Sequence, residues 1–95
     1  MPAYIIATAD VTDPAAYEEY KRLSGIAVQA HGAVFRVRGG PVDVLEGDWQ
    51  PPRVAVLEFP DRAAARAFYE GPEYTAARAA RAGAARMSII IVDGV

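Results

Sequence analysis

The residues able to do chemistry in this chain sit near predicted strand ends and turns. Glu58 is the sharpest of them. It shares strand alternation with Val54 and Val56, which points its carboxylate toward apolar surroundings. A carboxyl group there is suited to acid or base work, because burial disfavours its charged form. The competing explanation is a rim glutamate paired with one of the nine arginines. Arg38 precedes Gly39-Gly40 and can grip a carboxylate or phosphate in bidentate fashion. An ion pair to Glu46, Asp48 or Glu58 that fixes the turn accounts for it equally well. A direct Arg38–Glu58 bridge is disfavoured if their strands are antiparallel neighbours, because the two residues then fall at opposite ends. Glu58 would then need a donor such as Tyr69, Tyr74 or Arg78.

Trp49 follows Gly47-Asp48 and precedes Pro51-Pro52, so its segment is expected to hold it in a defined, mostly buried place. It would cover a pocket, anchor an interface, or pack over the core rim. Tyr69 and Tyr74 flank Gly71-Pro72, where a break in a helix would let their hydroxyls line a cleft. Amphipathic packing is the alternative for both, and is the reading adopted for Tyr17 and Tyr20. His31 is the only histidine and closes a predicted helix, where the dipole already favours it. One histidine and no cysteine leave no metal site to be expected. No Gly-rich phosphate loop, G-x-S-x-G elbow or H-E-x-x-H motif occurs, and no cofactor is expected.

Composition narrows the classes further. Ten basic residues against twelve acidic, net −2, lack the excess expected of a nucleic-acid binder. The 95 residues make one domain, residues 1–95. The N-terminal segment is too short and polar for a signal peptide, and no apolar run approaches a membrane span. A cytoplasmic location is expected. The alanine content and the dominance of arginine over lysine suggest a GC-rich bacterial coding bias.

The elements that must position these residues follow from pattern. Strands are predicted over Ala3–Val11, Ala33–Arg38, Arg53–Phe59 and Met87–Asp93. Asp13-Pro14 and Asp61 read as helix starts. The first helix carries an apolar stripe of Ala16, Tyr20, Leu23, Ala27 and Ala30. The second is interrupted at Gly71-Pro72. Gly39-Gly40 signals a hairpin whose short return arm is Val42–Glu46. The order β-α-β-(β)-β-α-β predicts an α+β, ferredoxin-like split βαβ: an antiparallel sheet, two helices on one face, and an extra hairpin arm. In three strands both faces are apolar, and a sheet face left open is too apolar for a monomer. A homodimer packed sheet on sheet is expected.

Several spaced segments together resemble the Domain of Unknown Function 1330 family: Arg38-Gly39-Gly40, Val44 to Trp49, Leu57-Glu58-Phe59-Pro60, Ala67-Phe68-Tyr69, Pro72-Glu73-Tyr74 and Arg78. The likeness spans essentially the whole chain. It implies the dimeric α/β barrel, a ferredoxin-like protomer pairing through its sheet, and no shared activity. The expectation is a homodimer that binds a small organic molecule between sheet and helices. Candidate ligand-binding residues are Glu58, Arg38, Trp49, Tyr69 and Tyr74, with no catalytic residue assigned. The alternatives are a cofactor-independent enzyme of monooxygenase or isomerase type using a buried carboxylate, and a non-catalytic interaction module.

Overall fold

Asp13 and Asp61 start the helical stretches, and they do so by supplying the acceptor that a first helical turn lacks. Asp13 Oδ1 accepts from the Ala16 amide at 3.2 Å, and Asp61 Oδ1 from the Ala64 amide at 2.8 Å. The computed structural model describes residues 1–95. Its elements are β1 (Ala3–Val11), α1 (Pro14–Ala30), β2 (Val34–Arg38), β3 (Arg53–Phe59), α2 (Arg62–Glu70), α3 (Pro72–Ala80) and β4 (Ala85–Asp93). The four strands form one sheet in the order β2-β3-β1-β4, every neighbouring pair antiparallel. This is the ferredoxin-like split βαβ arrangement.

Three of the expected features are corrected. The sheet is open, with β2 and β4 as unpaired edges, and is not closed into a barrel. Four strands are too few to close around packed side chains, for which about eight are needed. The hairpin arm Val42–Glu46 is not a strand. Pairing with β3 continues past β2 through the Gly39 amide, bonded to the Val54 carbonyl at 2.8 Å. Beyond Gly40 the chain leaves the sheet as an exposed loop that returns only at Arg53. Pro41 removes one donor, and Val42 and Val44 are exposed. Finally, three helices cover the sheet, because Gly71-Pro72 divides the second helical stretch into α2 and α3.

That break has a steric cause as well as a proline. Gly71 caps the end of α2 and the start of α3, with Pro72 opening α3. A Cβ at Gly71 would stand 2.9 Å from the Ala67 carbonyl oxygen and 3.1 Å from His31 Nε2. Glycine therefore lets the end of α1 close against the α2–α3 corner.

The register sorts the side chains cleanly. Ala3, Ile5, Ala7 and Ala9 of β1 share the helix-covered face with Leu57 and Phe59 of β3 and with Met87, Ile89 and Ile91 of β4. Tyr4, Ile6, Val54, Val56, Ile90 and Val92 take the other face. The core lies under the helices, with Phe59 and Phe68 fully buried and no polar or charged residue buried whole. On α1 the buried face is Tyr17, Tyr20, Ala27 and Val28, a stripe that includes Tyr17 and leaves Ala30 outside. Helix α2 packs directly on β1, β3 and β4, whereas α1 packs chiefly on α3. Phe59→Ala is expected to cost about 3–5 kcal/mol, read as a fall in the urea midpoint at unchanged slope.

Candidate functional site

Because α1 rests on α3 more than on the sheet, a hollow remains between α1 and the strands. Small residues line its floor. Ala7 stands opposite Ala55 across the β1–β3 pair, and Ala9 opposite Arg53. Bulkier neighbours, Ile5, Leu57, Met87 and Ile89, ring these alanines on the same face. The roof comes from Tyr17, Tyr20, Lys21 and Ser24, which recur on one face of α1 at helical spacing. Phe68, Tyr69 and Tyr74 of α2 and α3 make one wall, and Phe35, Arg38 and Arg53 make the other. The partly enclosed space is about 50 Å³. Outside it lies a shallow polar basin of about 480 Å³ bordered by Glu18, Lys21, Arg22, Arg38 and Arg53.

The polar feature nearest the core is a pair of phenols. Tyr20 Oη and Tyr74 Oη are 2.7 Å apart and buried, so one donates to the other. The accepting hydroxyl keeps its own proton for a further partner. Burial, then the neighbouring Tyr74, pushes the Tyr20 hydroxyl well above the ordinary tyrosine range. Burial raises Tyr74 and Tyr17 as well. These phenols stay protonated at neutral pH and serve as hydrogen-bond donors rather than bases. Arginines brace the outer rings: Arg78 lies over Tyr69 at 4.6 Å, and its Nη1 donates to the Tyr69 hydroxyl at 3.3 Å. Arg81 lies 5.6 Å from the Tyr20 ring centre.

Of the residues singled out in the sequence, Arg38, Tyr69 and Tyr74 come together around this cavity. Glu58 and Trp49 do not. Glu58 is on the uncovered face, where its carboxylate accepts from Arg36 Nε at 2.8 Å with its side chain 30% exposed. Its donor is thus neither Tyr69, Tyr74 nor Arg78, but Arg36, which strand alternation with Val34 places on the same uncovered face. No carboxylate lines the cavity. Arg38 pairs in register with Ala55 and Val34 with Glu58, so Arg38 and Glu58 are apart along the sheet. Trp49 is 70% exposed in the single chain, so of its two expected settings the chain's own core does not bury it, because the loop runs clear of that core. His31 packs edge-on to Phe68, with Nε2 3.5 Å from Glu73 Oε1. The cavity residues that sequence reasoning passed over are Tyr17, Tyr20, Lys21 and Arg53. Helical spacing and strand parity place all four on inward faces, but only α1's stand-off from the sheet gives them a space to line.

No three His, Cys, Asp or Glu side chains gather where they could hold a metal, and no helix is long and apolar enough to cross a membrane. The fold and the sheet order define a ferredoxin-like α+β domain. Solved structures share it. A protein of unknown function from Rhodopseudomonas palustris superposes with a TM-score of 0.77 at 22% identity, covering 99% of this chain and 82% of the other. A dimeric ferredoxin-like protein of unknown function from a Jannaschia species gives 0.72 at 17%, covering 99% and 100%. A cofactor-independent oxygenase from Streptomyces nogalater gives 0.64 at 13%, covering 99% and 93%. No curated protein matches in sequence. The chain belongs to the Domain of Unknown Function 1330 family, whose pattern matches residues 2–95.

The phenol pair makes a pH prediction. The folded state holds the Tyr20 proton more tightly than the unfolded chain, whose tyrosines titrate near 10.0. Above that pH the unfolded state binds fewer protons, so stability is full below about pH 10 and is lost as pH rises further. Denaturant unfolding at pH 9 and pH 11 should show this loss in the wild type and a smaller one in Tyr20→Phe.

Proposed function

We propose that the chain binds a small organic molecule in the cavity beneath α1, with an oxygen of that molecule taking the free proton of the Tyr20–Tyr74 pair. The single observation that carries this reading is a hydrogen-bonded phenol pair among the residues lining a largely apolar, partly enclosed space. Sites of this kind orient a ligand with few polar contacts and hold it by apolar burial. Titration with 1-hexanol, followed by amide NMR, tests it. Saturable shifts are expected at Ile5, Ala55 and Ile89. Ala55→Leu fills the floor and should abolish them while keeping the fold; shifts unchanged by Ala55→Leu would place binding elsewhere.

A second reading, a cofactor-independent enzyme, is favoured by the same pair and by likeness to the oxygenase fold. Donors preorganised in a desolvated site stabilise negative charge developing on a bound oxygen, as on an enolate. With no carboxylate in the cavity, this reading rests on the phenols. Oxygen uptake with enolisable ketones, above the spontaneous rate, would support it. Tyr20→Phe or Tyr74→Phe should then lower the rate by about a hundredfold.

We also propose that the chain works as a homodimer packed through its uncovered sheet face. Val34, Val37, Ile90 and Val92 are exposed there, and the nearby loop exposes Leu45 and Trp49. A face so apolar is stabilised by a second copy, and the Jannaschia relative is described as dimeric. Sedimentation at micromolar concentration should give twice the chain mass. Ile90→Glu should halve it or unfold the protein.

A further inference from the structure

The mouth of the cavity is cationic in a chain that is acidic overall. Lys21, Arg38 and Arg53 border both the apolar space and the basin outside it. Glu18, the one carboxylate on the basin, is held by Lys21 at 2.8 Å. Arg22 is engaged by Glu19. Arg38 and Arg53 have no carboxylate partner, although twelve acidic residues are available for ten basic ones. Their lack of partners is therefore a matter of placement.

Both arginines are positioned by contacts that leave their charge uncompensated. Arg38 lies over the Phe35 ring at 4.3 Å and reaches across to α1, where Nη2 would be 3.9 Å from a Cβ at Gly25. Arg53 lies 5.8 Å from the Tyr17 ring centre. Its guanidinium occupies the place a Cβ at Gly39 would take, and Gly39 has φ 72°. The positive φ favours glycine at 39, and the missing Cβ leaves the guanidinium its place. Contacts with aromatic faces steady a guanidinium without supplying it a counter-charge.

We propose that the ligand is a small organic anion, its carboxylate or similar headgroup held by Arg38 and Arg53 and its short apolar body lodged over Ala7 and Ala55. The proposal rests on the binding reading above and names the ligand class for that same cavity. The enclosed space is about 50 Å³, against about 150 Å³ for a cavity that takes benzene. It favours a slender unbranched chain, whose end enters over Ala7 and Ala55 while the rest lies in the mouth, over a fused ring system.

The test compares hexanoate with 1-hexanol, its uncharged counterpart, by amide NMR at pH 7, with inorganic phosphate as a headgroup-only probe. Hexanoate should bind at least about tenfold more tightly than hexanol, as charge-assisted bonds to arginine allow. Its affinity should fall between 20 and 200 mM salt, roughly as screening of a solvent-facing charge predicts. The double variant Arg38→Gln, Arg53→Gln should bring the ratio of the two affinities, measured in that same variant, to about one, and its amide spectrum shows whether the fold is kept. Should the double variant fail to fold, Arg38→Gln alone, at an exposed position, should lower the hexanoate-to-hexanol affinity ratio. Equal affinities of the two probes in the wild type overturn the anion proposal and leave the binding reading standing. Phosphate binding as tightly as hexanoate also overturns it, since the apolar body would then contribute nothing. If neither organic probe binds, both readings fall.

Discussion

A series of buried aromatic rings ties the elements of this domain together. Phe59 of β3 meets Phe68 of α2 at 5.3 Å between ring centres, and Phe68 meets Tyr74 of α3 at 4.8 Å. Tyr74 meets Tyr20 of α1 at 6.1 Å, edge to face, and Tyr20 meets Tyr17 at 5.1 Å. The series starts on the sheet, passes through both parts of the divided helix, and ends in α1. Each ring buries a large area, and tilted or edge-on contacts add a favourable electrostatic component. In a 95-residue domain with little core to spare, these rings are the contacts on which the placement of α1 depends.

The same rings produce the cavity. They support α1 along its α3 side, while the sheet beneath it carries alanines at 7, 9 and 55. Small floor residues under a helix propped on large neighbours leave space that no side chain of the chain fills. Tyrosine rather than phenylalanine at positions 20 and 74 then matters. Two hydroxyls buried in apolar surroundings each need a partner, and they find it in one another. The pair meets the packing requirement and leaves a donor free, so the core and the candidate site are built from the same side chains.

The alternation of apolar residues made the strands and their faces legible, and Asp13, Pro14 and Asp61 made the helix starts legible, because these signals depend on near neighbours along the chain. The return arm after Gly39-Gly40 was misplaced because a turn signal alone does not hold a strand: β2's outer edge is open, yet the segment after Gly40 leaves it as an exposed loop. Glu58 was placed on the right parity but among the wrong neighbours. Parity assigns a face without saying which face the helices cover, and the bulge after Phe35 that brings Arg38 to the covered face has no local signature. Prolines stiffen the segment of Trp49, yet local stiffness does not bring a loop onto the chain's own core.

The sequence by itself determined the four long strands and their order with the helical stretches, the antiparallel split βαβ plan and the two apolar faces of the sheet. Each of these follows from periodicity and from caps acting within a few residues. Only the tertiary structure decided that the sheet stays open, that α1 stands away from it, and that Tyr20 and Tyr74, 54 positions apart, share a hydrogen bond. It also decided that Arg38 and Arg53, from different strands, border one mouth. These outcomes depend on side-chain volumes summed across elements distant in sequence: alanines on the strands and rings on the helices leave a hollow that neither pattern contains alone.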